Sequence, residues 1–422
     1  MKLLTIFFAV VIIPFLAKIF KNGGKLIIHS RKDSVAIEVT LYIEIALCGI
    51  AIATVLNLSS ALFWIFNSVG LMLFLKYFFR MSRETFIYVA LYLSFAFLTL
   101  ISNHVFINRN LEAIGTNVNT ISFIIMFAFI MYLNKTNALN EYKLVLILKT
   151  ISYFGAIAVI FAWYYGFSDI IRVYRGMNPY VASLAGFFHG KNPYGAFVSL
   201  TVCPDLYFFY KGKNNKTGHI VLLGIKLLAI VLSFSRAALL QVGIMLLTFI
   251  WFNRKHRGYE QLFILLAATV FLMLLIENDR IQNFILRSVF RLNAGDAGRA
   301  VIRYNSLETI SALPLIRTLL VGVGYFGIVA LQLDLDNTYL YLLFSGGLLK
   351  ILFFTALCWF SFTKIKRIYR IDKLLGTLCL AVAISYYPYA FYEEVAFLEL
   401  GILHFLFTLY LFIIPAGYMR SD

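Results

Sequence analysis

Two arginines, Arg172 and Arg175, stand just ahead of the run Gly186-Phe-Phe-His-Gly-Lys-Asn-Pro-Tyr-Gly195. The glycines allow tight turns and close backbone approach. Pro193 fits an early helix position or a kink. The first N–H groups of a helix starting there, together with Lys191 and the two arginines, form an anion site. An irregular span entrance with snorkelling cations is the structural alternative. His189 alone does not make a metal ligand set. A second cluster, Ser233-Phe-Ser-Arg-Ala-Ala238, divides the apolar stretch 218–252 into two arms. Arg236 at that bend is either a snorkelling interfacial cation or a fixed cation lining a cavity.

The third cluster is the stretch 278–336. Between Arg280 and Leu292, the residues Ile281, Phe284, Ile285, Ser288, Val289 and Leu292 recur at helical spacing, with Arg287 and Arg291 on the other side. That pattern predicts an amphipathic helix lying at a membrane surface. Gly295-Asp-Ala-Gly-Arg299 and Arg303 follow, and a second helical stretch is expected to end at Pro314. Gly322-Val-Gly-Tyr-Phe-Gly327 follows no clear strand, so its glycine spacing does not read as a nucleotide loop. Asp334, Asp336, Asn337 and Thr338 close the stretch. Its basic residues are six arginines and no lysine. Arginine stays charged, is weakly hydrated and matches phosphate oxygens bidentately. A diphosphate ligand accounts for that bias.

The elements that hold these clusters are membrane spans. Of the 422 residues, 61% are hydrophobic and only 14% charged, and the mean hydropathy is +0.85. Soluble domains are far more charged. A disordered chain, a solenoid and a soluble two-domain enzyme are excluded, and runs this long do not fit an outer-membrane barrel. Apolar runs lie at 2–20, 36–56, 59–79, 86–107, 117–134, 144–167, 186–210, 218–234, 236–252, 261–277, 337–363, 374–391 and 396–416. The sequence thus predicts an all-α polytopic membrane protein with 12–13 transmembrane helices, one membrane domain over 1–422. The first run is read as a retained span or signal anchor, in preference to a cleaved signal peptide. Cys48, Cys203, Cys358 and Cys379 lie inside apolar runs without paired spacing and read as small buried apolar residues.

The net charge is +17, and basic residues concentrate in every second loop. They follow the first run (Lys18, Lys21, Lys25, Arg31, Lys32) and the third (Lys76, Arg80, Arg83). They recur at Lys135 and Lys143, at Lys211, Lys213 and Lys216, at Arg254, Lys255 and Arg257, and from Lys364 to Lys373. The positive-inside rule places these loops in the cytoplasm. The short loop 168–185, the long loop 278–336 and Glu393–Glu394 are then outside. Charge of this kind reports orientation and gives no ground for nucleic-acid binding.

The order of these pieces resembles the O-antigen polymerase and ligase superfamily, the Wzy-like glycosyltransferases of bacterial envelopes. The likeness covers about residues 170–350. An arginine followed by a glycine is matched by Arg175 and Gly186, and a glycine-to-Asn-Pro entrance by Gly186 to Pro193, slightly longer here. Ser235-Arg236-Ala237, Gly298-Arg299, Pro314-Leu315 and Gly322-Val-Gly324 match further pieces, the last two spaced more loosely. Ligases of the superfamily carry a catalytic histidine at the end of the long loop. Here that position is Asp336, which favours a polymerase.

The resemblance implies a GT-C-like fold in a bacterial inner membrane, with the site facing the periplasm or cell exterior. It implies transfer of a growing glycan from undecaprenyl diphosphate to the sugar of a second lipid-linked repeat unit. Donor and acceptor are both undecaprenyl-diphosphate-linked oligosaccharides, and a chain-length regulator and a flippase are the expected partners. Arg175, Arg236, Arg299 and Arg303 are candidates for the diphosphate, with Arg172, His189, Lys191, Asn192, Asn337 and Tyr339 lining the substrate. Asp336 is the first candidate to accept the hydroxyl proton, with Glu393 or Glu394 behind it. Catalysis is thus expected from Asp336, Arg299 and Arg175, and Tyr325, Tyr339 and Tyr341 could stack on sugars. Nothing in the sequence requires a metal or a cofactor. A ligase or protein O-oligosaccharyltransferase of the same superfamily is one alternative. A lipid-linked oligosaccharide flippase is another, although Lys149, Lys226 and Lys350 are scattered and mark no continuous charged path.

Overall fold

A computed structural model describes residues 42, 59–83, 85–87, 89–91, 93–94, 118–136, 139–175, 184–186, 188, 190–211, 216–253, 315–324, 327–328, 331, 333, 335, 337–395 and 401–418. Among them the backbone is almost wholly helical. The β pairing among the described residues is one isolated bridge between Leu139 and Tyr418. The helices are α1 (Ser59–Phe78), α2 (Val118–Thr136), α3 (Glu141–Tyr174), α4 (Lys191–Lys211), α5 (Lys216–Leu232), α6 (Arg236–Phe252), α7 (Leu315–Val321), α8 (Thr338–Ile371), α9 (Lys373–Tyr392) and α10 (Ile402–Gly417).

Apart from the short α7, these helices coincide with predicted apolar runs. The runs 2–20 and 261–277 lie outside the described residues, and 36–56 and 86–107 are described only at scattered positions. Three described helices, in α3, α8 and α9, are long and apolar enough to cross a membrane. Two boundaries differ from the sequence reading. α3 continues through Asp169–Tyr174, so the first part of the expected loop 168–185 is helix. Polar residues at a helix end still satisfy the backbone, and hydropathy alone does not see them. Similarly, α8 continues through Lys364–Ile371, where a basic loop was expected.

α4 is the central helix. Every residue from Tyr194 to Phe209 is buried, and α3, α5, α6, α9 and α10 surround it. A helix enclosed by others on every side is a core element. Large apolar side chains on peripheral helices, including Met72, Leu247, Trp251, Leu352 and Trp359, face outward. Such a surface suits lipid.

Tight connections set the arrangement. Asp372 alone joins α8 to α9, and its carboxylate accepts from the Leu375 N–H at 3.0 Å. A Cβ on Gly376 would fall 2.3 Å from Tyr369 Cα, so only glycine permits this hairpin. α8 is kinked at Gly347, whose φ is +69°. The kink receives the turn after α7: Val323 N–H donates to Phe344 O at 2.6 Å, and Gly322 (φ +75°) lies against Gly346 and Gly347. The Gly322-Val-Gly324 spacing is thus explained by close backbone contact.

The two ends of the bundle differ. At one end Lys211 Nζ lies 2.5 Å from Glu141 and 3.8 Å from Asp372, tying together the start of α3, the end of α4 and the α8–α9 turn. Lys143, Arg370 and Lys373 lie at the same ends of α3, α8 and α9. At the other end the N-termini of α4, α6 and α8 meet the C-terminus of α9.

Candidate functional site

Asn192, the second residue of α4, stands at the centre of that second end. Its Nδ2 donates to Glu393 Oε1 at 2.6 Å, and its Oδ1 accepts from Ser235 Oγ at 2.8 Å. A carboxylate only accepts, so the amide nitrogen faces Glu393 and the oxygen faces the hydroxyl. The Asn192 carbonyl also accepts from Tyr389 Oη at 3.4 Å.

Ser235 caps α6. Its Oγ accepts from the Ala238 N–H at 3.3 Å, which satisfies one of the helix's orphan donors. The bend before it is constrained. Phe234 has φ 54°, a left-handed conformation uncommon for a bulky residue, and its side chain is buried. Ser233 Oγ donates to Ile230 O and accepts from Ser235 N–H. A Cβ at residue 195 would lie 2.6 Å from Ala238 Cβ, so Gly195 lets this bend sit against α4. Arg236 follows as the first residue of α6 and is exposed.

The end of the long loop joins the same place. Asn337 caps α8, accepting from the N–H groups of Tyr339 and Leu340 at 2.8 and 3.2 Å. Its Nδ2 donates to Phe391 O at 3.0 Å. Thr338 Oγ1 donates to the Glu393 carbonyl at 2.7 Å and accepts from Val395 N–H at 2.8 Å. Glu393 N–H closes α9 on Tyr389 O at 3.0 Å. Backbone and carboxylate of Glu393 are therefore held from α4, α8 and α9. Glu394 beside it is exposed.

The sequence-predicted residues divide accordingly. Asn192, Asn337 and Glu393 come together with Ser235, while Arg236 and Lys191 are the first residues of α6 and α4. Asn337 serves as a helix cap. Tyr339 Oη donates to Tyr387 O at 3.2 Å, and that ring packs on Phe354. Arg172 lies in the last turn of α3 and Arg175 just beyond its end, both exposed, and Arg172 pairs with Asp169 at 3.4 Å. His189, Arg299, Arg303 and Asp336 lie outside the described residues, as does the amphipathic stretch 280–292.

The N-termini of α4, α6 and α8 meet here, helix N-termini carry partial positive charge, and Lys191 and Arg236 are the first residues of α4 and α6. Glu393 supplies the opposing carboxylate. Among the described residues no group of His, Cys, Asp and Glu stands together to hold a metal.

A second charged constellation went unread in the sequence. Lys226 and Asp205 are fully buried, with Nζ and Oδ2 2.5 Å apart. Lys226 also donates to Ser152 O and Thr201 O, both at 2.9 Å. Ser152 Oγ donates to Asp205 Oδ1 at 2.5 Å, and His219 Nδ1 lies 3.3 Å from the same oxygen. All three ammonium donors are used, so the pair is closed. Gly155 makes room: a Cβ there would sit 2.8 Å from Lys226 Cε. Asp205 and Lys226 lie on the two arms of the α4–α5 hairpin, staggered by about four residues or ~6 Å at 1.5 Å per residue. A helical lysine points toward its helix N-terminus and spans that gap. The hairpin was legible, and that stagger was the available signal.

No family model matches this chain, and no curated protein matches it.

Proposed function

We propose that the chain is a repeat-unit polymerase, a multi-pass glycosyltransferase of a bacterial cytoplasmic membrane. It moves a growing glycan from undecaprenyl diphosphate to the sugar of another lipid-linked repeat unit. The observation that carries this reading is the meeting of Asn192, Ser235–Arg236 and Asn337 around Glu393. These belong to separate pieces of the superfamily resemblance, far apart in sequence. The described basic residues Lys143, Lys211, Arg370 and Lys373 lie at the opposite end, and the positive-inside rule gives that end to the cytoplasm. The site then faces outward, where lipid-linked glycans are polymerised.

The donor bond joins the anomeric carbon to a diphosphate. As it breaks, the leaving group gains negative charge, and fixed cations lower that barrier. Arg175 and Arg236 supply this charge, with Arg172, Lys191, Arg299 and Arg303 as further contacts. Asp336, in place of the ligase histidine, favours polymerase over ligase. The Asp205–Lys226 pair is closed, with all three ammonium donors used.

Glycan analysis of cells lacking the chain tests the reading. Lipid-linked single repeat units at the outer leaflet support a polymerase. Long polymer left on the carrier lipid indicates a ligase, and units trapped on the cytoplasmic leaflet indicate a flippase.

A further inference from the structure

We propose that the outward face of α8 binds an anionic phospholipid, with Lys366 and Arg370 holding the headgroup phosphate. α8 has 34 residues. At 1.5 Å per residue that is about 51 Å, against a hydrocarbon core about 30 Å thick. The helix therefore runs well past the bilayer. One exposed stripe follows it through that transition: Leu352, Thr355, Trp359, Thr363, Lys366 and Arg370. Steps of three or four residues keep them on a single helix face. The opposite stripe, Phe354, Leu357, Ser361, Ile365 and Ile368, is buried. Within it Ser361 Oγ donates to Leu411 O at 2.6 Å, so that stripe faces α10. Ile365 and Ile368 continue it beneath Lys366 and Arg370, which fixes the charged end of α8 to the bundle.

The chemistry along the exposed stripe matches a phospholipid from tail to head. Leu352 and Trp359 are 57% and 75% exposed and meet the acyl chains. Thr355 Oγ1 donates to Ile351 O at 2.9 Å, and Thr363 Oγ1 to Phe360 O at 2.7 Å. Both hydroxyls are satisfied within the helix, as a lipid-facing surface requires. An amphipathic ring such as Trp359 settles at headgroup level. Lys366 follows after a rise of about 10 Å, and Arg370 one turn later. Helical side chains lean toward their own N-terminus, which at this end of α8 is the membrane side. Lys364 shows that lean, with Nζ over the Phe360 ring at 5.3 Å from its centroid. The same lean brings Lys366 and Arg370 back to the headgroups. An ammonium and a guanidinium one turn apart suit a phosphate diester. A zwitterionic headgroup carries its own cation beside the phosphate and gains less. The positive-inside rule accounts for cations at this end, but not for their alignment with the acyl-facing stripe.

The test uses the full-length chain in detergent, given phosphatidylglycerol and phosphatidylcholine in equal amounts, with retained lipid counted by native mass spectrometry. The wild-type chain is expected to retain phosphatidylglycerol at least about five-fold over phosphatidylcholine, the effect of one interfacial cation. The double variant Lys366→Gln, Arg370→Gln loses that preference, whereas the swap Lys366→Arg, Arg370→Lys keeps it. Lys76→Gln with Lys135→Gln removes two cations from the last turns of α1 and α2, which pack together through Tyr77 and Tyr132. That control keeps the preference. Should the glutamine pair fail to accumulate, salt serves instead: going from about 0.05 to about 0.5 M NaCl lowers the wild-type preference by screening. The site is overturned by an equal preference in wild type and glutamine pair, by an equal loss in the control pair, or by indifference to salt. No preference in the wild-type chain overturns it as well. A dimer that excludes phosphatidylglycerol gives the stripe to a second copy and overturns it too.

Discussion

Asn192 and Glu393 lie 201 residues apart in sequence and are joined by a hydrogen bond of 2.6 Å, from Nδ2 to Oε1. Through Ser235 the same carboxamide reaches the N-terminus of α6. Asn192→Asp is therefore expected to lower extension more than Asn192→Ala does. The aspartate would set two carboxylates against each other, whereas alanine only removes the two links. Parallel rate measurements on the two variants check this ordering, and equal effects would detach Asn192 from the site.

Arg236→Ala and Arg175→Ala are each expected to abolish chain extension while the protein still inserts in the membrane. Arg236→Lys should restore only part of the rate, since an ammonium lacks the planar fork that matches phosphate oxygens. Polymer length distributions from cells carrying each variant read this directly. Full-length polymer from both alanine variants would remove the diphosphate clamp.

The Asp205–Lys226 pair gives a prediction about stability. Removing one member leaves a buried uncompensated charge, so Asp205→Leu or Lys226→Met alone should cost about 3–5 kcal/mol. The double variant should recover most of that loss and keep its extension activity, because two apolar side chains leave no charge behind. Thermal unfolding in detergent, paired with an extension assay, checks both halves. A stable but inactive double variant would give the pair a functional role.

Gly347→Ala should also destabilise the fold. The residue has φ +69°, and a Cβ there would meet Leu320 O at 2.2 Å. Backbone strain of this kind costs roughly 1–3 kcal/mol, and the overpacking adds about 1–3 kcal/mol. A lower unfolding temperature is expected, with α7 detached from the kink. An unchanged melting curve would mean that the Gly322–Gly347 contact carries little stability.

Much of the bundle was legible in the sequence because apolar runs of membrane-spanning length state where helices lie. The break at Ser233–Ser235 was visible for the same reason: polar residues interrupt an apolar stretch at one point. The extra turns of α3 beyond residue 167 were not, since Asp169 and Arg172 look like loop residues to hydropathy. The site was legible in part. Asn192, Arg236, Asn337 and Glu393 were each singled out, but as members of separate clusters. Their meeting depends on how α4, α6, α8 and α9 are ordered in space, which no local spacing encodes. The pairing of Asp205 with Lys226 was signalled only by their stagger on the α4–α5 hairpin, because each alone reads as an isolated charge in an apolar run.

The most direct measurement incubates the purified chain with lipid-linked repeat units isolated from cells that lack it. The expected result is a ladder rising by whole repeat units, with one undecaprenyl diphosphate released per bond formed. Arg236→Ala should give no ladder. Repeat units left unextended by the wild-type chain, or the same ladder from both proteins, would contradict a glycan polymerase built around this site.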